Sequence, residues 1–113
     1  MIETTVLNYL RGRTEMPCYM ETPKTAPDSY IVLMKTGSTK VNHLSRATVA
    51  VQSYAASLYE AAVLNDRIVE YMEELPEYEV NVTKVEINSG GYPFPDVDSK
   101  RYRYQAVFVI YFY

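Results

Sequence analysis

The sequence predicts a single α+β domain spanning residues 1–113: a mixed, mostly antiparallel sheet of four to five strands with two helices on one face. Three observations predict this class. Arg101–Tyr113 (RYRYQAVFVIYFY) reads as one unbroken strand, and a capped amphipathic helix pattern lies in the middle of the chain. A length of 113 residues, 48% of them hydrophobic and 22% charged, suits one globular core.

The last strand is apolar on both faces in its second half, so both faces need cover. Read at period two, one face carries the residues that we expect beneath the helices, namely Tyr102, Ala106, Phe108 and Ile110. The other is predicted to be the outer face of the sheet and a subunit contact, through Val107, Val109, Tyr111 and Tyr113. Twelve tyrosines and no tryptophan favour a partly wet contact surface of this kind.

The N-terminal part is predicted to hold one short helix and one edge strand. Apolar residues recur at helical spacing over Ile2–Arg11, and Gly12 supplies a stop signal. Three prolines follow and leave room only for a brief strand at Cys18–Glu21, which they confine to a sheet edge.

Two strands are predicted next. Tyr30–Lys35 (YIVLMK) is rich in β-branched and large apolar residues, and it runs into the turn-prone segment TGST around Gly37. Arg46–Tyr54 alternates at period two, which predicts the second strand.

A long helix of about 18 residues is predicted next, and the residues at its start form a capping signal. Ser57 and Glu60 fit a capping box, in which the serine hydroxyl accepts from a backbone N–H. Pro76 is predicted to end the helix. Its apolar stripe consists of Ala61, Leu64, Ile68, Met72 and Leu75.

A strand is predicted over Tyr78–Ile87, with its inward parity switching near Thr83 and Lys84; a β-bulge is the simplest explanation, and a register break would give the same pattern. If this strand runs parallel to the one before the helix, the helix forms a crossover connection. Asn88–Lys100 is predicted to be a loop. Its prolines favour an ordered contact loop presenting Tyr92, Phe94 and Asp96, and the alternative is that these aromatics fold onto the loop's own core.

Composition and charge argue against several classes of function. A net charge of −3 lacks the positive charge that phosphate-binding surfaces need, so no specific nucleic-acid binding is expected. A single cysteine, Cys18, is typical of a reducing cytosol, and no signal peptide or membrane span is expected. We expect no catalytic residues, cofactor or metal. His43 is interpreted as a surface loop residue, Lys35–Lys40 as a plain turn, and Glu73, Glu74, Glu77 and Glu79 as a solvated face.

The order of these patterns resembles a known family. A strand YIVLMKTG, a strand ATVAVQSYA running into S-x-x-E-A, and a Y-x-F-P-D loop before R-Y-Q resemble the small tail terminator, or tail completion, proteins of long-tailed bacteriophages and prophages. The resemblance covers Tyr30–Tyr113. The residues that carry it are Gly37, Ser57, Glu60, Ala61, Pro95, Asp96, Arg103, Tyr104 and Gln105.

The resemblance implies a non-enzymatic structural protein that forms a hexameric ring on the finished tail tube. Such a ring halts tube growth and offers a surface to the head connector protein, so the expected partners are other copies of the chain, tail tube protein and connector protein. The implied location is the bacterial host cytoplasm during assembly and then the tail or neck of the virion. An acidic protein also suits a ring through which DNA slides.

Two alternatives stay open. Another head–tail joining or minor capsid protein would share this size and composition. A small-molecule-binding or enzymatic α+β domain would instead require a deep pocket with convergent polar groups, for which Cys18 and His43 are the residues to inspect.

Overall fold

A computed structural model describes residues 1–25, 27–94 and 101–113 of the chain. These residues form two helices and five strands. They are α1 (Ile2–Thr14), β1 (Cys18–Tyr19), β2 (Tyr30–Val41), β3 (Leu44–Ala55), α2 (Leu58–Tyr78), β4 (Val82–Pro93) and β5 (Tyr102–Phe112).

The strands form one mixed sheet in the order β1-β2-β3-β5-β4. β1 pairs with β2 in parallel, and the β2–β3, β3–β5 and β5–β4 pairs are antiparallel. β3 and β4 therefore run in the same direction with β5 between them, and α2 is the crossover that connects them. The predicted α+β class and the mixed, mostly antiparallel sheet are confirmed.

Both helices pack on one face of this sheet, as expected. One hydrophobic cluster joins α1 through Val6 and Leu10 and α2 through Ile68 and Met72 to the inward residues of the strands. Ala106, Phe108 and Ile110 of β5 are fully buried in it, which confirms three of the four residues predicted to lie beneath the helices. The prediction for Tyr102 is wrong, because this residue pairs with Ala55 at the far end of β3 and is 48% exposed.

The stop predicted at Gly12 is wrong. α1 continues to Thr14 and ends at Glu15, whose φ of 58° is left-handed and whose N–H donates to the Arg11 carbonyl at 3.1 Å. The Thr14 hydroxyl also donates to the Leu10 carbonyl, 2.6 Å away. The edge strand is shorter than predicted, since Cys18–Tyr19 alone pairs with β2.

The turn predicted at TGST is also wrong. β2 runs through it to Val41, absorbing one extra residue between Lys35 and Gly37 as a bulge. The chain reverses instead at Asn42 and His43, with φ of 51° and 71°. Two positive φ angles between a closing Val41–Leu44 pair describe a two-residue type I′ hairpin, whose twist matches that of the strands.

The helix start at Ser57 is confirmed, because its hydroxyl accepts from the Glu60 N–H at 3.1 Å. The predicted end at Pro76 is wrong. α2 runs on to Tyr78, with proline in the last turn, where one missing N–H disrupts little and the Glu79 N–H still donates to Leu75. The stretch after Tyr78 is consequently not strand until Val82.

The predicted bulge in β4 is confirmed. Val82 and Lys84 face the adjacent residues Phe112 and Tyr111, so Thr83 is the extra residue. The loop predicted from Asn88 is wrong in its first half, because β4 continues to Pro93 with two further register shifts. Backbone pairing with β5 overrides the turn tendency of the glycines there.

The β4 irregularity is held by a contact from α2. Gly91 has a φ of 124°, and the buried side chain of Asn65 donates to the neighbouring Gly90 carbonyl at 2.9 Å. A Cβ on Gly91 would lie 2.0 Å from Asn65 Nδ2. Glycine at 91 and asparagine at 65 therefore depend on each other.

The helices are joined by an aromatic cage at the end of α1. The guanidinium of Arg13 lies over the rings of Tyr9, Tyr71 and Tyr78, at 5.6, 4.6 and 4.5 Å from their centroids. It also donates to Glu74 at 2.5 Å. Charge-assisted and cation–π contacts thus complete the helical layer where the apolar stripe ends.

Candidate interaction surface on the outer sheet face

The face of the sheet opposite the helices, here called the outer face, carries most of the predicted contact residues. Val107, Val109 and Tyr111 alternate along β5 with the buried residues of the core. No helix in the described ranges packs on this face. Its side chains, read from the strand pairings, include Tyr30, Val32, Met34, Thr48, Ala50, Gln52, Tyr54, Lys84, Glu86, Tyr92, Arg103 and Gln105.

Three predicted residues lie at the ends of this face or beyond it. Tyr113 follows β5 and is 69% exposed, with its N–H donating to the Asn81 carbonyl. Tyr92 belongs to β4 and Phe94 follows it, and both are 40% exposed. Their rings meet edge to face at 6.2 Å. Asp96 lies outside the described residues.

The middle of the outer face is apolar. Val32, Ala50 and Val109 are buried in the single chain, Val107 is half-buried, and Met34 is 42% exposed. Because Val109 has lost its water already in the single chain, it has little more to gain from a partner. Val107 and Met34 are the better candidates for contact.

A row of aromatic rings crosses one end of the face. Tyr30 and Tyr54 are stacked, with ring centroids 4.4 Å apart and planes 9° from parallel. Tyr19 meets Tyr30 edge to face at 6.1 Å. The row spans β1, β2 and β3 as a second, small hydrophobic cluster, in which Tyr30 and Tyr54 are fully buried and Tyr19 is partly buried.

Arg103 extends the row toward β4. Its guanidinium lies 5.5 Å from the Tyr54 ring centroid and 4.1 Å from that of Phe94. It donates to the Tyr54 hydroxyl at 2.8 Å and to the Phe94 carbonyl at 2.7 Å. Arg103 therefore fixes the exposed Phe94 before any partner arrives, which lowers the entropy cost of binding.

A chain of hydrogen bonds runs beside the rings. The Tyr54 hydroxyl donates to Gln52 at 3.3 Å, Gln52 Nε2 donates to Gln105 at 2.9 Å, and Gln105 Nε2 donates to the Tyr92 hydroxyl at 2.6 Å. It links β3, β5 and β4. Sequence reasoning did not assign Gln52 or Tyr54 to the site, although their shared period-two parity was the signal that could have placed them on the outer face.

Charged groups surround Tyr111 at the opposite end. Arg46 and Lys84 lie over its ring, at 5.9 and 5.8 Å from the centroid. Lys84 also pairs with Glu86 at 2.9 Å, and this hydrogen bond lowers the pKa of the Glu86 carboxyl. Tyr111 therefore lies between two exposed cationic side chains at this end of the outer face.

The residues considered for chemistry lie apart from one another. Cys18 is 1% exposed, and burial raises the pKa of its thiol to about 11, which disfavours the reactive thiolate. His43 lies exposed at the tip of the β2–β3 hairpin. Glu74 is paired with Arg13, whereas Glu73 and Glu77 are exposed on α2. Within the described ranges, no group of three or more His, Cys, Asp or Glu side chains could hold a metal ion.

A cavity of about 160 Å³ lies between the start of α1 and the end of β5. Ile2, Val82 and Phe112 contribute its apolar lining, and neither Cys18 nor His43 borders it. None of the helices in the described part of the chain combines the length and apolar character needed to cross a membrane.

No protein-family model matches this chain, and no curated protein matches it.

Proposed function

We propose that this chain is a structural assembly protein that contacts other subunits through its outer sheet face and, more finely, a phage or prophage tail terminator. In that role it forms a ring, expected to be hexameric, which caps the tail tube and joins it to the head connector protein. It acts in the host cytoplasm during assembly and then in the tail or neck of the virion. The resemblance of Tyr30–Tyr113 to tail terminators is the reason for the finer proposal.

The observation that carries the proposal is the outer face itself. It combines an apolar centre with a charged rim, and at its other end Arg103 holds the exposed Phe94 in place beside Tyr92. Fixed aromatic and arginine groups around an apolar centre are typical of the residues that dominate binding at protein interfaces. A stable contact needs about 600–1,000 Å² from each partner, which one face of a five-stranded sheet can supply.

The first experiment asks whether this face mediates assembly. We expect Val107→Lys to block association of the purified chain, because a lysine at the apolar centre must be desolvated without a partner. Val80→Lys is the matched control, since Val80 is 96% exposed in the connection between α2 and β4, outside the strands of the sheet. The readouts are sedimentation velocity across a concentration series, electron microscopy for rings, and circular dichroism to confirm that both variants fold.

The second experiment separates tail terminators from other head–tail joining proteins. We expect binding to purified tail tube protein, with weaker binding to portal or adaptor protein. Preference for portal or adaptor protein would move the assignment to a head–tail joining protein. A Val107→Lys variant that still forms rings, or a two-fold dimer that buries β5 and leaves no ring, would contradict the assignment of the outer face.

A further inference from the structure

The two layers of the molecule carry opposite charge. α2 contains six carboxylates, at Glu60, Asp66, Glu70, Glu73, Glu74 and Glu77, and one cation, Arg67. Strands β2 to β5 contain five cations, at Lys35, Lys40, Arg46, Lys84 and Arg103, and one carboxylate, Glu86. The helix is thus net −5 and the strands net +4, although the whole chain is only −3. Lys35 and Lys40 have the inward parity, and Lys35 pairs with Glu3 of α1, so the outer face itself carries Arg46, Lys84 and Arg103 against Glu86, a net +2.

α2 also presents an exposed stripe to the outside of the helical layer. The residues recur at spacings of four and three, so they follow one side of the helix. The stripe is apolar at its start, where Tyr59 is 78% and Val63 is 40% exposed, and acidic afterwards. Its acidic members are Asp66, Glu70, Glu73 and Glu77, all of them exposed.

The acidic half of the stripe is self-repelling in the single chain. Asp66 and Glu70, and likewise Glu73 and Glu77, are like charges four residues apart, an arrangement that destabilises a helix. In the described ranges, no lysine, arginine or histidine forms an ion pair with these four carboxylates. A cationic surface laid across the stripe would remove this repulsion.

On the outer face, as on the α2 stripe, an apolar patch is followed by charged residues, and the distance between the two is similar. On α2, ten residues separate Val63 from Glu73, or about 15 Å at 1.5 Å per residue. On β5, four residues separate the apolar Val107 from Tyr111, which Arg46 and Lys84 flank, or about 13–14 Å. An apolar patch followed by charge on one surface therefore matches an apolar patch followed by opposite charge on the other.

From these features we infer that the outer face of one copy is covered by the exposed α2 stripe of a second copy. Val63 and Tyr59 pack on the apolar centre around Val107, and Glu70 and Glu73 lie against Arg46 and Lys84. A copy cannot make this contact with itself, because its own α2 packs on the opposite face of the sheet. The contact joins two different surfaces, so it propagates head to tail as a ring requires. This inference rests on the proposed function and names the contact that would build the ring.

A complementary charge exchange tests it on the intact chain. The sheet variant is Arg46→Glu, and the helix variant is Glu70→Lys/Glu73→Lys. Each places like charges across the contact, and we expect association about tenfold weaker in each. In a mixture of the two, the unchanged sheet of the helix variant can bind the unchanged α2 of the sheet variant, and the two altered surfaces carry opposite charge. Both contacts are attractive, so association should return to near the wild-type level. Lys24→Glu, in an exposed loop outside both surfaces, is the control.

The outcomes separate this inference from the proposal beneath it. Weak association of each variant alone, recovery on mixing, and loss of wild-type association at high salt support the helix-on-sheet contact. Wild-type association by the exchanged variants, with Val107→Lys still blocking assembly, overturns the contact and leaves the function standing. A wild-type chain that stays monomeric both alone and with tail tube protein overturns both. Recruitment of tail tube protein to the outer face without self-association overturns the second-copy contact alone.

Discussion

Replacing Gly91 by alanine should destabilise the protein by about 2–6 kcal/mol, and the structure supplies two separate reasons. The backbone at Gly91 has a φ of 124°, which side chains with a Cβ rarely adopt. The added methyl would also lie 2.0 Å from Asn65 Nδ2 and displace the amide that donates to Gly90.

Each reason carries its own magnitude. Holding a residue other than glycine in this conformation costs about 1–3 kcal/mol. Losing the part-buried hydrogen bond from Asn65 to the Gly90 carbonyl costs about 1–3 kcal/mol more, because the amide of the buried Asn65 side chain loses its partner. Asn65→Ala alone should cost only the second amount. In the double variant Gly91→Ala/Asn65→Ala the clash is gone, so its loss of stability should be smaller than the sum of the losses in the two single variants.

Urea unfolding followed by circular dichroism measures these changes as shifts in midpoint at constant slope. Gly12→Ala is the matched control with the opposite expected sign. Gly12 lies inside α1 with nothing within 4 Å of its would-be Cβ, so alanine there should stabilise by about 0.5–1 kcal/mol. A Gly91→Ala protein within about 0.5 kcal/mol of wild type would refute the account of this bulge.

Three further substitutions should have defined effects. His43→Gly should stabilise by about 0.5–1 kcal/mol, since residue 43 has a φ of 71° in the type I′ turn; a lower melting temperature would count against that turn. Phe108→Ala should cost about 3–5 kcal/mol in urea unfolding, because the ring is fully buried; a cost below 1 kcal/mol would contradict its place in the core. Burial raises the pKa of Tyr9 to about 12, above the unfolded value near 10, so the folded chain keeps this proton longer and stability falls as pH rises from 10 to 12. In Tyr9→Phe this loss should shrink by about 1–2 kcal/mol, while the exposed control Tyr59→Phe should follow wild type.

The sequence was sufficient to predict features that depend only on residues close together in the chain. The hydroxyl of Ser57 caps α2 because the cap needs only residues three apart, and the parity switch near Thr83 revealed the bulge because alternation is a property of one strand. Both predictions are confirmed. The two-layer fold followed from the number and character of the segments.

Signals failed where tertiary pairing overrides local tendency. The TGST segment has turn-prone residues, yet β3 pairs with β2 along its length and moves the reversal to Asn42 and His43. The glycines in β4 likewise predict a loop, but β4 pairs with β5 through this segment. For the candidate surface, alternation could place Val107 and Tyr111 on the outer face, but not the contact of Arg103 with Tyr54 and Phe94. That contact depends on which strands are neighbours.

The sheet order sets the sequence of events during synthesis. β5 is made after β4 yet lies between β4 and β3, so β4 has no strand to pair with until β5 has emerged. Before that moment the chain holds at most the β1-β2-β3 part of the sheet, and the apolar side of α2 still lacks Phe108 and Ile110. Pairing between strands far apart in the sequence is slow, and such incomplete sheets are prone to aggregate. A chain interrupted before Tyr102 would therefore lose two strands instead of one, so an unfinished copy differs from a finished one by half of its main sheet pairings.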